Sequence, residues 1–233
     1  MVGQRSPKTL LFLAGSTRMK INPKVVDIYH GDNVSSFAKA YDFGIRGVIH
    51  KATQGTILTD SMYAIRRKAA TDAGMLWGAY HFNTGGDVAL QAKHFLNVAD
   101  PHQDTLLALD LEDNPASNMS LSQARQFMEA VDQATGKLCV LYSGNRIKEL
   151  MAHADAETRT FFGGHKYWIC QYGPTPKMVD PNGVPLPWAK YFLWQYTGDG
   201  VGMMPHSIPG LQDRMDVNHY DGTDEELKTE WTA

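Results

Sequence analysis

The chain contains few cysteines and has no large excess of charge of either sign. Two cysteines among 233 residues cannot form a disulfide scaffold, and because Cys139 and Cys170 each lie in an apolar run, we expect both to be buried free thiols. The formal net charge is −3, which provides no strongly basic surface to hold nucleic acid or an anionic membrane. Neither is therefore expected as a partner.

Long hydrophobic runs are also missing. No apolar stretch approaches the roughly 20 residues that a membrane-spanning helix needs, so no membrane span is expected. Near the N-terminus, Arg5 and Lys8 precede a brief apolar run at residues 9–16. This run is at the short limit for a signal peptide, and a flexible leader or a short strand at the domain edge is the favoured interpretation. Residues 1–23 are accordingly predicted as a leader or N-terminal extension.

Several short motifs of enzyme chemistry are absent from the sequence. It contains no Walker loop, no dinucleotide-binding fingerprint and no Gly-x-Ser-x-Gly nucleophile elbow. Carboxylates near His30 or His81 could in principle hold a divalent cation. No His-x-x-x-His or Cys-x-x-Cys spacing supports that interpretation, so a metal site is not expected.

The composition is that of a globular protein, with 43% hydrophobic and 20% charged residues. Apolar runs of strand length alternate with patterns of helical period, as is typical of a parallel sheet covered by helices. The predicted strands are residues 24–29, 47–52, 76–82, 105–112, 138–143, 167–172, 191–196 and 214–218. The predicted helices are residues 34–43, 60–73, 87–99, 121–134 and 145–151.

Eight such strands in about 200 residues predict an α/β fold, a single irregular (β/α) TIM-like barrel with eight strands and fewer than eight helices. Several prolines between Pro174 and Pro209 make the last third rich in loops, so some crossover helices are expected to be missing. A doubly wound open sheet is the alternative. The barrel is predicted to span residues 24–222 and to be followed by a C-terminal tail at 223–233.

The strongest chemical signal is the Asp110-Leu111-Glu112 sequence at the end of a predicted strand. Residues i and i+2 of a strand point to the same side, so both carboxylates face one way, with Cα atoms roughly 6 to 7 Å apart. In a barrel, the C-terminal ends of the strands carry the active site. Asp27 ends the first predicted strand and Asp216 lies on the last, and these strands are neighbours in a closed barrel. Four carboxylates are therefore expected to converge at one mouth.

Carboxylates that are packed together repel one another, so at least one pKa should rise and one group should hold a proton. A protonated carboxylic acid beside an ionised one is the arrangement that cleavage of a glycosidic bond uses. Each aspartate also has a structural alternative, since an Asp at the end of a strand often caps the next helix or accepts hydrogen bonds from loop amides.

The sequence resembles the family 25 glycoside hydrolases, the muramidases called Chalaropsis-type lysozymes, from about residue 25 to residue 220. It departs from the family pattern at Gln54, where Glu is usual, at His50, where an aliphatic residue is usual, and at Cys170, where Ala is common. The segments that carry the resemblance are residues 26–30, 51–55, 78–82, 109–113, 142–144, 168–173, 193–197 and 215–218.

The resemblance implies hydrolysis of the β-1,4 bond between N-acetylmuramic acid and N-acetylglucosamine in peptidoglycan, by a monomer without a metal or organic cofactor. It implies that Glu112 is the general acid and holds the proton. Asp110 would orient the 2-acetamido group of the substrate, which would attack the anomeric carbon with retention of configuration. Asp27 and Asp216 would raise the pKa of Glu112 and position water or sugar hydroxyls. A direct nucleophilic or water-activating role for an aspartate remains an alternative.

Aromatic and amide side chains at predicted strand ends are candidates for binding the substrate. Rings there can stack on sugar faces, and hydroxyl or amide groups can bind the acetamido group. Packing in the upper barrel is the alternative for each of them, and Lys51, His81 and Phe82 are interpreted as core or as a layer behind the site. The predicted substrate-binding residues are Tyr80, Tyr142, Trp194 and Gln195.

Two further functions remain open from the sequence: a non-catalytic glycan-binding protein on the same barrel, and a chitinase-like glycosidase. The presence of all four acids argues against mere binding, which needs no protonatable pair. For the lysozyme, the expected place of action is the bacterial cell wall, reached by secretion or by release from a phage as with endolysins.

Overall fold

The computed structural model describes residues 20–115 and 117–233, in which strands and helices alternate along most of the chain. The predictions for residues 1–19 lie outside the described residues. The strands are β1 Pro23–Ile28, β2 Gly47–Gln54, β3 Leu58–Thr59, β4 Leu76–Phe82, β5 Leu106–Asp110, β6 Val140–Ser143, β7 Tyr167–Cys170, β8 Leu193–Gly198, β9 Val201–Gly202 and β10 Asp216–His219. The helices are α1 Phe37–Phe43, α2 Tyr63–Asp72, α3 Val88–Ala99, α4 Leu121–Thr135, α5 Asn145–Met151, α6 Ala156–Gly163 and α7 Asp224–Thr232.

Eight strands close into a barrel in the order β1-β2-β4-β5-β6-β7-β8-β10, because β1 pairs with both β2 and β10. The short strands β3 and β9 pair only with β2 and β8, outside this ring. The predicted closed, irregular barrel is confirmed, with seven helices in the described part of the chain. The alternative of an open, doubly wound sheet is wrong.

The direction of β10 differs from the predicted parallel arrangement. Within the closed ring, neighbouring strands from β1 to β8 are parallel, whereas β10 is antiparallel to both β8 and β1. A parallel connection needs a crossover that returns the chain to the other end of the sheet. Residues 199–215 contain no helix and do not carry the chain back to the other end of the barrel. For that reason β10 begins at the rim where the other strands end.

Alternation along the strands separates two hydrophobic clusters. The larger cluster lies between the barrel and its helices and includes Trp194 and Tyr196 of β8. The smaller cluster fills the barrel interior and includes Leu193 of the same strand. Apolar side chains thus occupy the lower interior, and open space remains at the rim formed by the ends of β1 to β8.

The predicted tail at residues 223–233 is corrected by the structure, because most of it forms α7. Thr223 and Glu226 form a capping box at the start of this helix. Trp231, in its last turn, is 2% exposed and belongs to the interior cluster. The indole Nε1 donates to the Trp77 carbonyl at 3.0 Å, so α7 closes the lower end of the barrel.

Most other predicted elements lie within a few residues of their observed bounds. The helix predicted at 145–151 has those bounds, and Ser120 caps α4 with a capping box. The helix α6 was not among the predicted elements. Both cysteines are free, as expected, although only Cys139 is fully buried. None of the helices in the described residues has the length and apolar character needed to cross a membrane.

Candidate active site

A cavity of about 220 Å³ opens at the rim of the barrel where β1 to β8 end and β10 begins. The structure brings all four predicted carboxylates to its wall. Six other side chains complete the lining, and two of them, Tyr80 and Tyr142, are among the predicted substrate-binding residues. The cavity is lined by Asp27, Asp110, Glu112, Asp216, Tyr29, Lys51, Tyr80, Phe82, Tyr142 and Trp168.

Asp27 and Asp216 come from neighbouring strands and occupy directly opposed positions. Asp27 lies on β1 and Asp216 opens β10, and the two residues are partners in the antiparallel register. The carboxylate of Asp27 accepts hydrogen bonds from the amide of Asn218 at 2.7 Å and from that of Gln195 at 2.9 Å. These bonds fix the orientation of Asp27, one oxygen to each amide.

Burial raises the pKa of both groups, and the charge of Asp27 adds to the rise at Asp216. Burial raises the pKa of Asp27 to about 7, although the hydrogen bonds from Asn218 and Gln195 oppose this rise. Burial, followed by the charge of Asp27, raises the pKa of Asp216 to about 9. At neutral pH, Asp216 therefore carries a proton, and the pair presents both a donor and an acceptor to the cavity.

Asp110 and Glu112 form the second acidic pair. Asp110 is the last residue of β5, and Glu112 follows two residues later, just beyond the strand. Burial, and then the charge of Glu112, raise the pKa of Asp110 well above its ordinary value, while Lys51 opposes this rise. Burial, and then the charge of Asp113, also raise the pKa of Glu112. A proton is thus readily retained within this pair.

One oxygen of Asp110 has no partner. Asp110 is only 5% exposed. Its Oδ1 atom is buried and makes no hydrogen bond within the described part of the chain. An unsatisfied buried acceptor is costly and uncommon in proteins. Because this oxygen belongs to a residue lining the cavity, it is placed to accept a hydrogen bond from a bound molecule.

The segment that carries Glu112 is held by its neighbours on both sides. The Ser143 hydroxyl donates to the Leu111 carbonyl at 2.6 Å, and the Leu111 amide donates to the Tyr142 carbonyl at 2.9 Å. From the end of β4, the Asn83 amide donates to the Glu112 carbonyl at 2.8 Å. These bonds keep the backbone in place after β5 has ended, so Glu112 faces the cavity from a fixed position.

Lys51 and Phe82 lie in the cavity wall, whereas they are predicted to lie in the core or in a layer behind the site. The Lys51 ammonium donates to the Gln54 side chain at 2.7 Å and lies 4.7 Å from the centre of the Phe82 ring. Burial lowers the pKa of Lys51, and the charge of Asp110 opposes this. Lys51 has the same parity on β2 as the interior residue Ile49, which is the signal that could have placed it.

His81, which was grouped with Lys51 and Phe82, is fully buried and takes no part in the cavity wall. Its two ring nitrogens lie 2.7 Å from the Thr53 hydroxyl and 3.0 Å from the Gln91 side chain. Burial lowers its pKa to about 4. It is a neutral core histidine, in agreement with its interpretation from the sequence.

Of the two predicted tyrosines, Tyr142 is hydrogen-bonded to Gln195. The Tyr142 hydroxyl donates to the Gln195 carbonyl oxygen at 2.9 Å, and its ring packs edge-on against Trp168, with 4.4 Å between ring centres. Burial raises the pKa of Tyr80 and of Tyr142 well above the ordinary value, so both phenols are neutral. Gln195 lies behind the wall, where it connects Tyr142 to Asp27. Its position fits the orientation of an acid and not direct contact with substrate.

Trp194 is not brought to the cavity. It is fully buried among the side chains between the barrel and the helices, where its Nε1 donates to the Gln171 carbonyl at 2.7 Å. Since Gln195 points into the barrel, the adjacent Trp194 points outward. The substrate contact predicted for Trp194 is contradicted by this placement.

The arrangement is suited to proton transfer, since it offers two acidic pairs with raised pKa values in a partly enclosed space. The described residues contain no group of three or more His, Cys, Asp or Glu side chains arranged to hold a metal ion. The ionisable side chains that line the cavity are its four carboxylates, Lys51 and the tyrosines, of which Tyr80 and Tyr142 are neutral phenols.

Comparison with known proteins gives similarities across most of the chain. The model of the family described as Glycosyl hydrolases family 25 matches residues 26–203. The uncharacterized protein YegX of Escherichia coli K12 is 29% identical over 199 residues, which is 82% of this chain and 65% of YegX. The autolytic lysozyme of Clostridium acetobutylicum is 26% identical over 200 residues, or 84% of this chain and 55% of that protein. The chain thus spans less than two thirds of the length of either relative.

Among solved structures, the muramidase from Acremonium alcalophilum superimposes with a TM-score of 0.73 at 26% identity. The match covers 90% of this chain and 98% of that one. Nearly the whole of that structure therefore has a counterpart in the barrel described above.

Proposed function

The chain belongs to glycosyl hydrolases family 25, and we propose that it is a lysozyme that hydrolyses the β-1,4 bond between N-acetylmuramic acid and N-acetylglucosamine in peptidoglycan. Similarity to the autolytic lysozyme of Clostridium acetobutylicum and to the muramidase from Acremonium alcalophilum supports this reaction. The bacterial cell wall is then the place of action.

The observation that carries the proposal is that the Oδ1 atom of Asp110 has no hydrogen-bond partner, while the nearby Glu112 has a raised pKa. In the proposed reaction, the N–H of the substrate's 2-acetamido group donates to Asp110. A hydrogen bond to the ionised form favours ionisation, and the resulting charge favours protonation of nearby Glu112. Binding of substrate would thus shift the proton of this pair towards the residue that needs it.

The first half of the reaction breaks the glycosidic bond. Glu112 gives its proton to the leaving oxygen as the bond from that oxygen to the anomeric carbon breaks. The acetamido carbonyl oxygen, oriented through Asp110, forms a bond to the same carbon and gives an oxazolinium-like intermediate. Substrate assistance of this kind is a recognised departure from the protein-nucleophile scheme.

The second half returns the enzyme to its starting state. Water attacks the anomeric carbon, its proton passes to Glu112, and the bond to the acetamido oxygen breaks, so the configuration is retained. Asp27 and Asp216 would position water or sugar hydroxyls, because together they offer a donor and an acceptor at neutral pH. When substrate binds, the neutral hydroxyl of Tyr142 would give up its hydrogen bond to Gln195 and donate one to the acetamido group instead.

Digestion of purified peptidoglycan, followed by liquid chromatography with mass spectrometry, tests the reaction. The expected products end in reducing N-acetylmuramic acid, and chitin oligomers serve as the comparison substrate. Reducing N-acetylglucosamine at the new ends, or cleavage of chitin alone, would contradict the proposed bond and favour a chitinase-like enzyme. Binding to peptidoglycan without new reducing ends would favour a glycan-binding protein.

A further inference from the structure

Tyr29 differs from the other aromatic side chains of the cavity in its exposure. Of the five that line the cavity, Tyr142 and Trp168 are buried and Tyr80 and Phe82 are partly buried, whereas Tyr29 is 45% exposed. It follows the end of β1 and is not among the residues predicted from the sequence to bind substrate. Large aromatic surface that is left exposed at a cavity commonly serves binding.

The ring of Tyr29 lies against Gly31. A Cβ atom added at Gly31 would come within 2.5 Å of the Cζ and hydroxyl oxygen of Tyr29, so this position has room for the ring only as long as it is glycine. On another side, the ring of His30 meets that of Tyr29 edge-on, with 5.1 Å between ring centres. The ring is thus supported by its own loop and still exposes nearly half of the side chain.

The loop that carries Tyr29 is itself fixed. The Tyr29 amide donates to the Asp32 carboxylate at 2.8 Å, and the guanidinium of Arg66 donates to the carbonyls of both Tyr29 and Asp32. The Gln212 amide donates to the other oxygen of Asp32 at 2.7 Å. A ring that is held before a ligand arrives loses little conformational freedom on binding.

The order of the strands places Tyr29 across the cavity from the proposed general acid. Glu112 follows β5, which lies three strands from β1 in one direction and five in the other around the ring of eight. A sugar ring between the two residues would have Glu112 on one side and Tyr29 on the other.

We infer that Tyr29 stacks on the apolar face of one N-acetylhexosamine ring of the glycan strand and so fixes its position relative to Glu112. This inference rests on the proposed function for the identity of the glycan. Tyr29 makes no proton transfer in this account. It acts by binding, and its contribution should therefore be seen in KM and in affinity more than in kcat.

The test uses soluble peptidoglycan oligosaccharides of defined length with the full chain and three variants. Tyr29→Phe keeps the ring, Tyr29→Ala removes it, and Gly31→Ala keeps the ring but displaces it. Gly31 does not have a left-handed φ, and the atoms that a methyl group would meet belong to the far end of the Tyr29 side chain and not to the backbone, so this variant should fold. Phe43→Ala is the matched control, because Phe43 on α1 is 44% exposed and does not line the cavity.

For Tyr29→Ala and Gly31→Ala we expect KM to rise about 3- to 10-fold with kcat within about twofold of the parent. Tyr29→Phe and Phe43→Ala should match the parent, and the pH profile should not move in any variant. An unchanged KM in both Tyr29→Ala and Gly31→Ala would overturn the inference. A Tyr29→Phe variant as impaired as Tyr29→Ala would also overturn it, because the hydroxyl and not the ring face would then be responsible.

Calorimetric binding of the same oligosaccharides separates this inference from the proposed reaction. If the parent binds the oligosaccharides and does not cut them, the proposed reaction fails, whereas weaker binding by Tyr29→Ala and Gly31→Ala would still support stacking. If the parent cuts them and the two variants bind as well as the parent, the stacking role fails and the reaction stands.

Discussion

Asp27 on β1 and Asp216 on β10 are register partners, and they meet at the rim because β10 runs antiparallel to β1. In a fully parallel barrel, the first residue of a strand would lie at the opposite end from the last residue of its neighbour. The reversal of one strand therefore brings a residue at the start of β10 beside a residue near the end of β1. It also brings together a buried acid, Asp27, and a partly buried one, Asp216, both with raised pKa values.

The raised pKa of Asp216 predicts a cost in stability that depends on pH. In the unfolded chain this carboxyl loses its proton near its ordinary value of 3.8, whereas in the folded protein it does so only at about 9. Between these values the folded state holds the extra proton, so the contribution of Asp216 to stability falls as the pH rises. Asp216→Asn removes that dependence and should raise the unfolding midpoint at pH 8 by about 2 to 8 °C, with less or no gain at pH 4.

Thermal unfolding between pH 4 and pH 9 measures this effect, with Asp42→Asn, at an exposed position of α1, as the control. The difference between Asp216→Asn and the parent should widen as the pH rises, and the control should show no such trend. A constant or narrowing difference would contradict the raised pKa. Activity on peptidoglycan should fall in Asp216→Asn alone, since the stabilised variant has lost one acid of the cavity.

Glu112→Gln should reduce turnover of peptidoglycan about 100- to 10,000-fold, because general acid catalysis contributes about that much. The amide cannot give a proton to the leaving oxygen, yet it has nearly the size of the acid, so the unfolding midpoint should change little. Release of reducing ends measures the effect. Glu157→Gln is the matched control, since the Glu157 side chain is 78% exposed and lies on α6. Retention of more than about a tenth of the parent rate would contradict the assignment of Glu112.

Lys51→Met should impair the reaction through Asp110. Removal of the cation leaves Asp110 with a still higher pKa, so the ionised form that orients the acetamido group becomes available only at higher pH. The acidic limb of the profile of kcat/KM against pH should therefore move upward by about one pH unit. Gln54→Glu should move it in the same direction by a smaller amount, because a new carboxylate at the 2.7 Å contact would compete for the charge of Lys51.

The control for Lys51→Met is Lys39→Met, at an exposed position on α1 outside the cavity. Its profile should coincide with that of the parent. If Lys51→Met lowers the rate equally at every pH, Lys51 contacts the substrate and does not act by holding the charge of Asp110. A shift towards lower pH would contradict the proposed interaction outright.

How far the sequence could define the site is shown by β5 and β8. On β5 a fully apolar run ends in Asp110, followed by Glu112, so the change in polarity itself marks the rim. On β8 every residue from Leu193 to Gly198 is buried, because the strand is covered on both faces. Polarity then does not distinguish inward from outward positions, which is why Trp194 was expected in the cavity and is found in the outer layer.

Other features depend on contacts that are distant in sequence. The closed barrel was predicted from the number of strands and their alternation with helices, whereas the reversal of β10 depends on how residues 199–215 cross the rim. The position of Lys51 follows from its parity on β2, and that of the Tyr29 ring follows from its contact with Gly31. The last helix has only Leu227 and Trp231 as buried residues in a strongly polar segment, so its pattern is too weak to predict a helix that packs.

Trp231 supports the final prediction, which concerns the lower end of the barrel. The indole ring fills the space above two glycines, since a Cβ at Gly47 would come within 2.8 Å of it and one at Gly78 within 3.3 Å. Trp231→Ala should therefore leave a cavity and reduce the free energy of unfolding by about 3 to 5 kcal/mol. Trp231→Phe should lose less, because it keeps a ring in the interior and gives up the hydrogen bond to Trp77.

Urea unfolding measures these losses, and activity per folded molecule should survive in both variants because Trp231 lies at the opposite end of the barrel from the acids. Gly47→Ala provides the reciprocal test, as a methyl group there meets the six-membered ring of the indole directly. If Trp231 is held as described, Gly47→Ala will destabilise the fold, whereas the substitution will cost little if the lower interior can adjust. In the first case, the double variant with Trp231→Ala will recover part of the lost stability, because the new methyl group occupies space that the indole has left. Strict additivity of the two substitutions would show that α7 does not close the barrel through this contact.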